Sequence, residues 1–350
     1  MTEDVLIAVE GRVGRIRLNR PKAIHALNHA MCTDIIAALQ GWAKDPAIEL
    51  VMIDHSEGRG FCAGGDIRMI AASAKVGGAD ARAFFRDEYR MNHLLFVYAK
   101  PIIAFMDGIT MGGGVGLADP CRYRVLTDRT IYAMPETGIG LFTDVGGGHF
   151  LSRMPGRTGQ YIGLTGARLN GAECLALGVG THYVPSESVE ALKAAIIASP
   201  GRIDEELRSA VTMLPEAPLL EHRTAIDRLF AANRYEEILA ALAADGGEWA
   251  GKQLATLAGK SPQACKVVLR LLALSAGIDD FADEMQMEYA VAAHVIGRPD
   301  FIEGVRALII DKDNQPRWNP ATPEAVSDAD IDAIFAPLPP EQAWTPLPSV

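Results

Sequence analysis

Apolar residues recur with two different periods along the chain, and each period predicts a different kind of element. Near the N-terminus, short runs rich in β-branched residues predict a hairpin formed by Val5–Glu10 and Val13–Leu18, with its turn at Gly11. Asn28 precedes apolar residues at four-residue spacing, which predicts a helix capped by that side chain. Further short apolar runs predict strands at Leu50–Ile53, Pro101–Met106 and Tyr123–Leu126. Helices between such strands favour an α/β fold with a parallel or mixed sheet.

From about residue 186 onward, the spacing of apolar residues is helical almost throughout. The predicted helices are Ser186–Ala198, Ile203–Met213, Ala225–Ala232, Tyr235–Ala244, Pro262–Ser275 and Asp280–Ile296. The last segment, Pro337–Val350, is rich in proline, which favours an irregular tail or one docked in an extended form. We therefore expect an α/β core over residues 1–200, a helical region over 201–336 that packs on it, and a tail over 337–350.

Composition and charge change this picture little, but they exclude several classes of protein. The chain has 350 residues, of which 49% are hydrophobic, as in ordinary globular proteins. The formal net charge of -11 argues against a nucleic-acid-binding surface, although a local basic pocket for a phosphorylated ligand is compatible with it. No stretch of about 18 apolar residues occurs, so no membrane-spanning helix is expected.

The cysteines and histidines indicate neither a disulfide framework nor a metal site. The five cysteines are scattered without a CxxC pair, which favours reduced thiols and a cytoplasmic location. The first residues lack the features of a cleaved targeting peptide, so none is expected. We assign a packing role to Cys62 and a structural role to His25 and His29, the one histidine pair with HxxxH spacing.

Two glycine-rich segments carry the first chemical signal. Phe61–Ile67 (FCAGGDI) follows a predicted strand, and Asp66 within it is placed to cap a helix. Met111–Gly116 (MGGGVG) follows another predicted strand and also opens a helix. Unpaired amides at such helix starts, converging on one point, would form an oxyanion hole for a thioester carbonyl under attack. The structural alternative is that the glycines only permit tight turns and close helix–strand packing.

Two carboxylates lie eight residues apart in the apolar, glycine-rich segment 134–148 (MPETGIGLFTDVGGG). The glycines around Glu136 and Asp144 allow the loop to bring both side chains to one pocket. An apolar pocket and a second acid both raise a carboxyl pKa towards the working pH, which suits acid–base or nucleophilic chemistry. Alternatively, Glu136 caps a turn, and Asp144 is a solvated loop residue or a helix cap.

The ordered segments FCAGGDI, ITMGGGVGLA and MPETGIGLFTDVGGG resemble the crotonase superfamily. The DVGGG ending, together with EGVRALIIDKD at 303–313, narrows the resemblance to the 3-hydroxyisobutyryl-CoA hydrolase branch. The similarity covers nearly the whole chain except the tail. It implies a crotonase spiral of ββα units followed by a mainly helical C-terminal region. The implied activity is hydrolysis of a short β-hydroxy acyl-CoA thioester, with 3-hydroxyisobutyryl-CoA favoured, as a step of valine catabolism.

The resemblance also implies roles for individual residues. The amides of Gly65 and Gly113 match the oxyanion-hole donors, Glu136 matches the catalytic carboxylate, and Asp144 matches the acid beside it. Glu88 matches a substrate-contacting acid, so Glu88, Gly113, Glu136 and Asp144 form the implied substrate-binding set. Coenzyme A enters as part of the substrate, and neither a metal nor another cofactor is expected. Superfamily members often form trimers, which leaves a homo-oligomer open here.

One departure from the superfamily pattern is informative, and it leaves three functions to distinguish. Hydratases carry a second catalytic glutamate two residues beyond the GGG, and this chain has Gly116 there. The whole-chain similarity favours hydrolysis over a hydratase or an isomerase. The alternative from another class is a catalytically silent protein that binds CoA esters, and the retained Glu136 and Asp144 count against it.

Two points of mechanism stay open at this stage. Glu136 either attacks the thioester carbonyl, which gives a mixed anhydride, or activates a water molecule. Asp144 would orient the substrate hydroxyl group or the water and tune Glu136. Lys22 and Arg59 are candidates for contacts with the phosphates of CoA, with a solvated surface role as the alternative.

Overall fold

The computed structural model describes residues 2–348, in which the strands form two sheets. The larger sheet has the order β1-β2-β3-β5-β7-β10, and the smaller has the order β4-β6-β8-β9. The strands are β1 Val5–Glu10, β2 Val13–Leu18, β3 Leu50–His55, β4 Gly60–Cys62, β5 Ile102–Met106, β6 Ile109–Met111, β7 Tyr123–Leu126, β8 Ile131–Ala133, β9 Leu169–Asn170 and β10 His182–Tyr183. All the pairings are parallel except β1 with β2 and β8 with β9.

The chain repeats one path three times, which confirms the predicted spiral of ββα units. A strand of the larger sheet (β3, β5, β7) is followed by a parallel strand of the smaller sheet (β4, β6, β8) and then by helical structure. Because the carboxyl ends of parallel strands lie at one edge of a sheet, the three segments that leave β4, β6 and β8 come together. These are the segments that carry Gly65, Gly113 and Glu136.

Most of the predicted elements are confirmed, and the differences lie at their ends. The α-helices are α1 His29–Lys44, α2 Ile67–Ala74, α3 Ala79–Phe96, α4 Gly113–Ala118, α5 Gly147–Ser152, α6 Thr158–Thr165, α7 Gly171–Ala176, α8 Val189–Ala198, α9 Ile203–Ser209, α10 Arg223–Leu229, α11 Tyr235–Asp245, α12 Glu248–Ala258, α13 Pro262–Ser275, α14 Phe281–Val295, α15 Pro299–Val305 and α16 Asp328–Ile334. Asn28 and Asp66 cap α1 and α2 as expected, accepting from the backbone amides three residues later at 2.9 and 3.5 Å.

One predicted helix is too long, since α9 ends at Ser209 instead of Met213. The apolar side chains Val211 and Met213 are exposed, so the apolar pattern beyond Ser209 meets no core to pack against. The predicted helix at Ser186–Ala198 begins as a 3-10 turn, Ser186–Ser188, before α8. Such shifts at helix ends reflect the 3-10 geometry that terminal turns often adopt.

The helical C-terminal half packs against the spiral core. Helix α14 lies against α3 and α5, and α13 lies against α5 and α6. One continuous apolar core includes side chains from Val5 to Trp344, and a second fills the space between the larger sheet and the pair α8 and α9. The division of the chain at residues 200 and 336 stays a prediction.

The proline-rich tail is docked on α3, one of the two conformations expected for it. Trp344 is 1% exposed, and its Nε1 donates to the carbonyl of Arg86 at 3.1 Å. The Arg90 guanidinium donates to the carbonyl of Thr345 at 3.0 Å. The last two residues of the predicted tail, 349 and 350, lie outside the described residues.

Candidate active site

Two unpaired backbone amides form one side of the site. Gly65 follows β4, and Gly113 begins α4 just after β6. Within residues 2–348, no protein acceptor takes the N–H of either glycine. A Cβ atom added at Gly113 would lie 3.2 Å from the amide nitrogen of Gly65, so the two loops are in contact. Free N–H groups this close are what an oxyanion hole requires.

Glu88 approaches the same loops from α3. Its Oε1 lies so close to Gly113 that a Cβ atom at that position would collide with it, so only glycine fits there. The side chain is 1% exposed, and Oε1 has no hydrogen-bond partner among the described residues. Burial, and then the charge of Asp144, raise the pKa of Glu88 well above its usual range. This favours the neutral carboxyl group, which can both donate and accept a hydrogen bond.

Glu136 and Asp144 reach the site from the segment between β8 and α5. Glu136 begins a 3-10 turn, Glu136–Ile139, and its buried Oε2 has no hydrogen-bond partner among residues 2–348. Burial, and then Asp144, raise the pKa of Glu136 well above its usual range. Burial also raises the pKa of Asp144 to about 6, although a hydrogen bond of 2.8 Å from the Tyr89 hydroxyl group opposes the shift. The ionisation of these acids is therefore moved towards the working pH, as acid–base chemistry needs.

The two amides and the three acids line one cavity of about 280 Å³. Its apolar wall consists of Ala63, Ile67, Ile70, Phe84, Phe85, Met111, Pro135, Ile139, Leu141, Leu308 and Ile309. Leu308 and Ile309 belong to a π-helical turn, Arg306–Ile310, and the carbonyl of Ile309 accepts from the Arg68 guanidinium of α2 at 3.0 Å. The C-terminal half thus covers a cavity whose acids and free amides all belong to the spiral core. An apolar cavity with a few convergent polar groups is typical of a small-molecule site.

Position 116 has no space for the second glutamate of hydratases. A Cβ atom added at Gly116 would lie 2.6 Å from Cβ of Val145 and 2.7 Å from Nδ2 of Asn92. Asn92 is held there, because its Nδ2 donates to the carbonyl of Gly116 at 2.9 Å. Val145 is 1% exposed and has a φ of 58°, a conformation that β-branched residues rarely adopt. The loop beside Asp144 is therefore fixed against α4, and the packing excludes a side chain at Gly116.

The change Gly116→Ala is expected to lower the free energy of unfolding by about 1–3 kcal/mol, because the added methyl group overpacks this contact. Urea denaturation measures the effect. Gly41→Ala is the matched control: Gly41 lies on an exposed face of α1 with no atom within 4 Å of an added Cβ, and alanine there should stabilise by about 0.5–1 kcal/mol. Equal free energies of unfolding for the two variants would mean that position 116 does have room for a side chain.

The remaining candidates from the sequence do not line the cavity. Lys22 and Arg59 are exposed on adjoining loops, where a Cβ atom at Gly58 would lie 3.7 Å from Cβ of Pro21. Cys62 is fully buried, which raises the pKa of its thiol to about 12 and favours the predicted packing role.

The two histidines predicted to be structural have separate partners. His25 bonds to the backbone of Arg20 and Glu57, at 3.0 and 2.8 Å. His29 pairs with Asp87 on α3 at 2.6 Å. These contacts join the segment before α1 to the loop of Glu57 and the first turn of α1 to α3, which suits the structural role predicted for both rings.

Several residues in or near the cavity were not predicted individually from the sequence. Tyr89 stands beside Glu88 in the chain, but only the fold shows that its hydroxyl group reaches Asp144. Leu308 and Ile309 lie in the segment EGVRALIIDKD, whose similarity to the hydrolase branch was a signal that a function resides there. Lys260 precedes α13, and its charge lowers the pKa of Glu136 slightly against the larger effect of burial.

A family model described as enoyl-CoA hydratase/isomerase matches residues 13–335. The chain belongs to this family. A relative from Gallus gallus named 3-hydroxyisobutyryl-CoA hydrolase, mitochondrial, is 42% identical over 96% of this chain and 89% of its own length. The relative of the same name from Homo sapiens is 39% identical with the same coverage.

Solved structures of similar chains carry other functional names. A carnitinyl-CoA dehydratase from Mycobacterium thermoresistibile is 41% identical, with a TM-score of 0.93 over 97% of this chain and 98% of that one. An enoyl-CoA hydratase from Rhodobacter sphaeroides is also 41% identical, with a TM-score of 0.91 over 98% and 99%. These matches confirm the predicted crotonase fold, whereas the names of the relatives divide between hydrolysis and hydration.

The predicted cytoplasmic location does not match the mitochondrial one in the names of the curated relatives. All five cysteines are buried and free, in keeping with reduced thiols in either compartment. Over residues 2–348, every helix is too short or too polar to cross a lipid bilayer.

Proposed function

We propose that this protein hydrolyses a short β-hydroxy acyl-CoA thioester, with 3-hydroxyisobutyryl-CoA as the preferred substrate and 3-hydroxyisobutyrate and CoA as the products. The observation that carries the proposal is the cavity in which Glu136 and Asp144 face the free amides of Gly65 and Gly113. Position 116, where a hydratase has its second glutamate, is closed by packing. The curated relatives with this activity in their names support the same reaction.

In this mechanism, the thioester carbonyl oxygen accepts hydrogen bonds from Gly65 and Gly113, which stabilise the negative charge that develops on it. By one route, a carboxylate oxygen of Glu136 bonds to the carbonyl carbon, the C–S bond breaks, and the CoA thiolate takes up a proton from the solvent. Water then hydrolyses the mixed anhydride and restores the Glu136 carboxylate; one of its two protons replaces the proton that the thiolate took up, and the other leaves with the acid product. By the other route, Glu136 takes a proton from the attacking water and gives it to the thiolate that leaves.

The two neighbouring acids divide the remaining tasks. Asp144, held by Tyr89, orients the attacking water or the substrate, and its proximity keeps the pKa of Glu136 high. Glu88 is buried against Gly113 without a protein partner, so its carboxyl group can bond to a hydroxyl group on the acyl chain. An unpaired buried acid discriminates strongly against a ligand that leaves it unsatisfied, which explains a preference for β-hydroxy over plain acyl groups.

Several further assignments belong to the same proposal. Coenzyme A is part of the substrate, and the reaction needs no metal or other cofactor. The loops of Lys22 and Arg59 lie beside the segment that leads into β4, which supports contacts with the CoA phosphates. A place in valine catabolism follows from the proposed substrate. The buried free thiols suit a reducing compartment, and we propose the cytoplasm. Localisation of the tagged protein distinguishes this compartment from the mitochondrion.

Release of free thiol from a panel of short acyl-CoA esters tests this function. We expect 3-hydroxyisobutyryl-CoA to be cleaved at least about 100-fold faster than isobutyryl-CoA, because the latter leaves Glu88 unpaired. Hydration of crotonyl-CoA, monitored by the loss of its absorbance, is the competing reaction that the name of the enoyl-CoA hydratase from Rhodobacter sphaeroides favours. Hydration without thiol release would overturn the proposal and leave the closed position 116 unexplained.

A further inference from the structure

Two buried acids of α14 lie behind the glycine-rich loop of the site. The carboxylate of Glu288 accepts hydrogen bonds from the amides of Gly146 at 2.8 Å and Gly148 at 3.0 Å. One turn earlier on the helix, Glu284 accepts from the Ser275 hydroxyl group at 2.7 Å. Both acids are 0% exposed, and Glu284 lies so close to Gly148 that a Cβ atom there would collide with it. The glycine run therefore gives Glu288 access to the backbone amides and leaves space for Glu284.

The two acids are close enough to share one proton. Glu284 Oε2 has no hydrogen-bond partner among the described residues, and the Glu284 carboxyl group lies within hydrogen-bonding reach of that of Glu288. Burial raises the pKa of both acids, and that of Glu288 rises further because Glu284 is beside it. The charge of Arg153 lowers the pKa of Glu284 against the effect of burial. Asp144 and Tyr89 are the other titratable groups that lie near Glu288. The two N–H donors on Glu288 oppose the rise in its pKa and favour its ionised form, so a proton on Glu284 suits the pair better and also satisfies Oε2.

The loop that Glu288 holds is the one that presents Asp144 to the cavity. Gly146 and Gly148 are two and four residues beyond Asp144, and strained Val145 lies between. A residue with a φ of 58° keeps that conformation only where its surroundings impose it. On one side Val145 packs on Gly116, and on the other the amides that follow it are bonded to Glu288.

We infer that Glu288 is a positioning residue for Asp144, which it holds through the amides of Gly146 and Gly148, and that Glu284 serves as its proton-bearing partner. The inference rests on the proposed function for its effect on catalysis. Its structural part, the clamp on the loop, is independent of the reaction. After burial and the charge of Glu284, the charge of Asp144 also raises the pKa of Glu288, so Asp144 and Glu288 lie close to one another.

Two isosteric substitutions separate this role from simple packing. Glutamine at 284 mimics the protonated acid, since its oxygen accepts from Ser275 and its amide donates to Glu288. We expect Glu284→Gln to keep kcat within about 2-fold of the unchanged protein. A glutamine side chain at position 288 can accept a hydrogen bond from only one of the two amides, and it carries no charge. We expect Glu288→Gln to lower kcat by about 10-fold or more, with KM little changed, since a hydrogen bond to a charged group is lost.

One readout responds to the proposed role and not to general stability. Hydrogen exchange of a peptide that includes Gly146 and Gly148 should become faster in Glu288→Gln and stay unchanged in Glu284→Gln. Glu288→Asp keeps the charge but shortens the reach, so it should lower kcat and speed this exchange as well. This variant also serves if Glu288→Gln does not fold.

The outcomes distinguish this inference from the proposed function. Faster exchange in Glu288→Gln, with no thiol release even by the unchanged protein, would support the clamp and overturn the hydrolase proposal. Unchanged exchange in Glu288→Gln would overturn the inference. Equal damage by Glu284→Gln and Glu288→Gln would overturn it as well, because the two acids would then have no separate roles.

Discussion

Replacing Glu136 with glutamine is expected to lower kcat for thioester hydrolysis by about 10³-fold, the range that a positioned acid–base group contributes. Both proposed routes need a carboxylate at this position, either to bond to the carbonyl carbon or to take a proton from water. The amide of glutamine keeps the volume of the side chain but can do neither. Thiol release from 3-hydroxyisobutyryl-CoA measures the loss.

The same substitution should stabilise the folded protein at alkaline pH. Burial raises the pKa of Glu136 in the folded state above its ordinary value of 4.5, so the folded protein holds this proton more tightly than the unfolded chain does. Stability is therefore lost as the pH rises from that value through the folded pKa. Since glutamine does not titrate, the gain from Glu136→Gln should be small at pH 4 and larger at pH 8. Thermal unfolding at both values measures it.

The exposed Glu221 offers a matched control for charge removal. Glu221→Gln should leave kcat unchanged and show no comparable gain in stability at pH 8. A Glu136→Gln variant that keeps its activity would remove Glu136 from the chemistry. A variant that is inactive but less stable at pH 8 than at pH 4, relative to the unchanged protein, would contradict the raised pKa.

Replacing Trp344 with alanine is expected to lower the free energy of unfolding by about 3–5 kcal/mol, as for other buried aromatic residues. The indole is almost fully buried, donates to the carbonyl of Arg86, and lies edge-on to the ring of His93 at 5.8 Å between centroids. Both contacts are on α3, the helix that carries Glu88 and Tyr89. Loss of the tail would therefore loosen the helix that supplies two side chains of the site.

Chemical denaturation with Trp344→Phe as the control separates packing from hydrogen bonding. Phenylalanine keeps most of the ring volume and loses the N–H group. The free energy of unfolding of this variant should therefore fall by about 1 kcal/mol for the lost hydrogen bond, and by a smaller amount for the lost packing. Activity at low temperature should fall in Trp344→Ala more than in Trp344→Phe if the tail supports α3. A change in unfolding free energy below about 1 kcal/mol for Trp344→Ala would mean that the docked tail adds little to stability.

The success of sequence-based prediction here depended on the length of each element. Hairpin β1–β2 and helix α13 have the predicted bounds, because each has enough residues for its apolar period to be recognised. The strands of the smaller sheet have only two or three residues, which is too few to show a period. Helix α12 was missed as well; it buries only Ala250, Gln253 and Leu257, one of which is polar, so its apolar residues do not mark one buried face clearly. These short strands nevertheless define the edge at which the site is assembled.

The sequence by itself determined the fold class, the two glycine loops and the acids Glu136 and Asp144, because these lie in contiguous motifs whose residue types carry their own chemistry. Only the tertiary structure decided that Tyr89 bonds to Asp144, that Val145 closes position 116, and that Glu288 holds the loop from behind. The physical reason is the separation of the interacting residues along the chain, because a capped helix or a strand is encoded by residues only a few positions apart. A buried hydrogen bond requires only that two groups meet in space, and Gly146 and Glu288 meet across 142 positions of the chain.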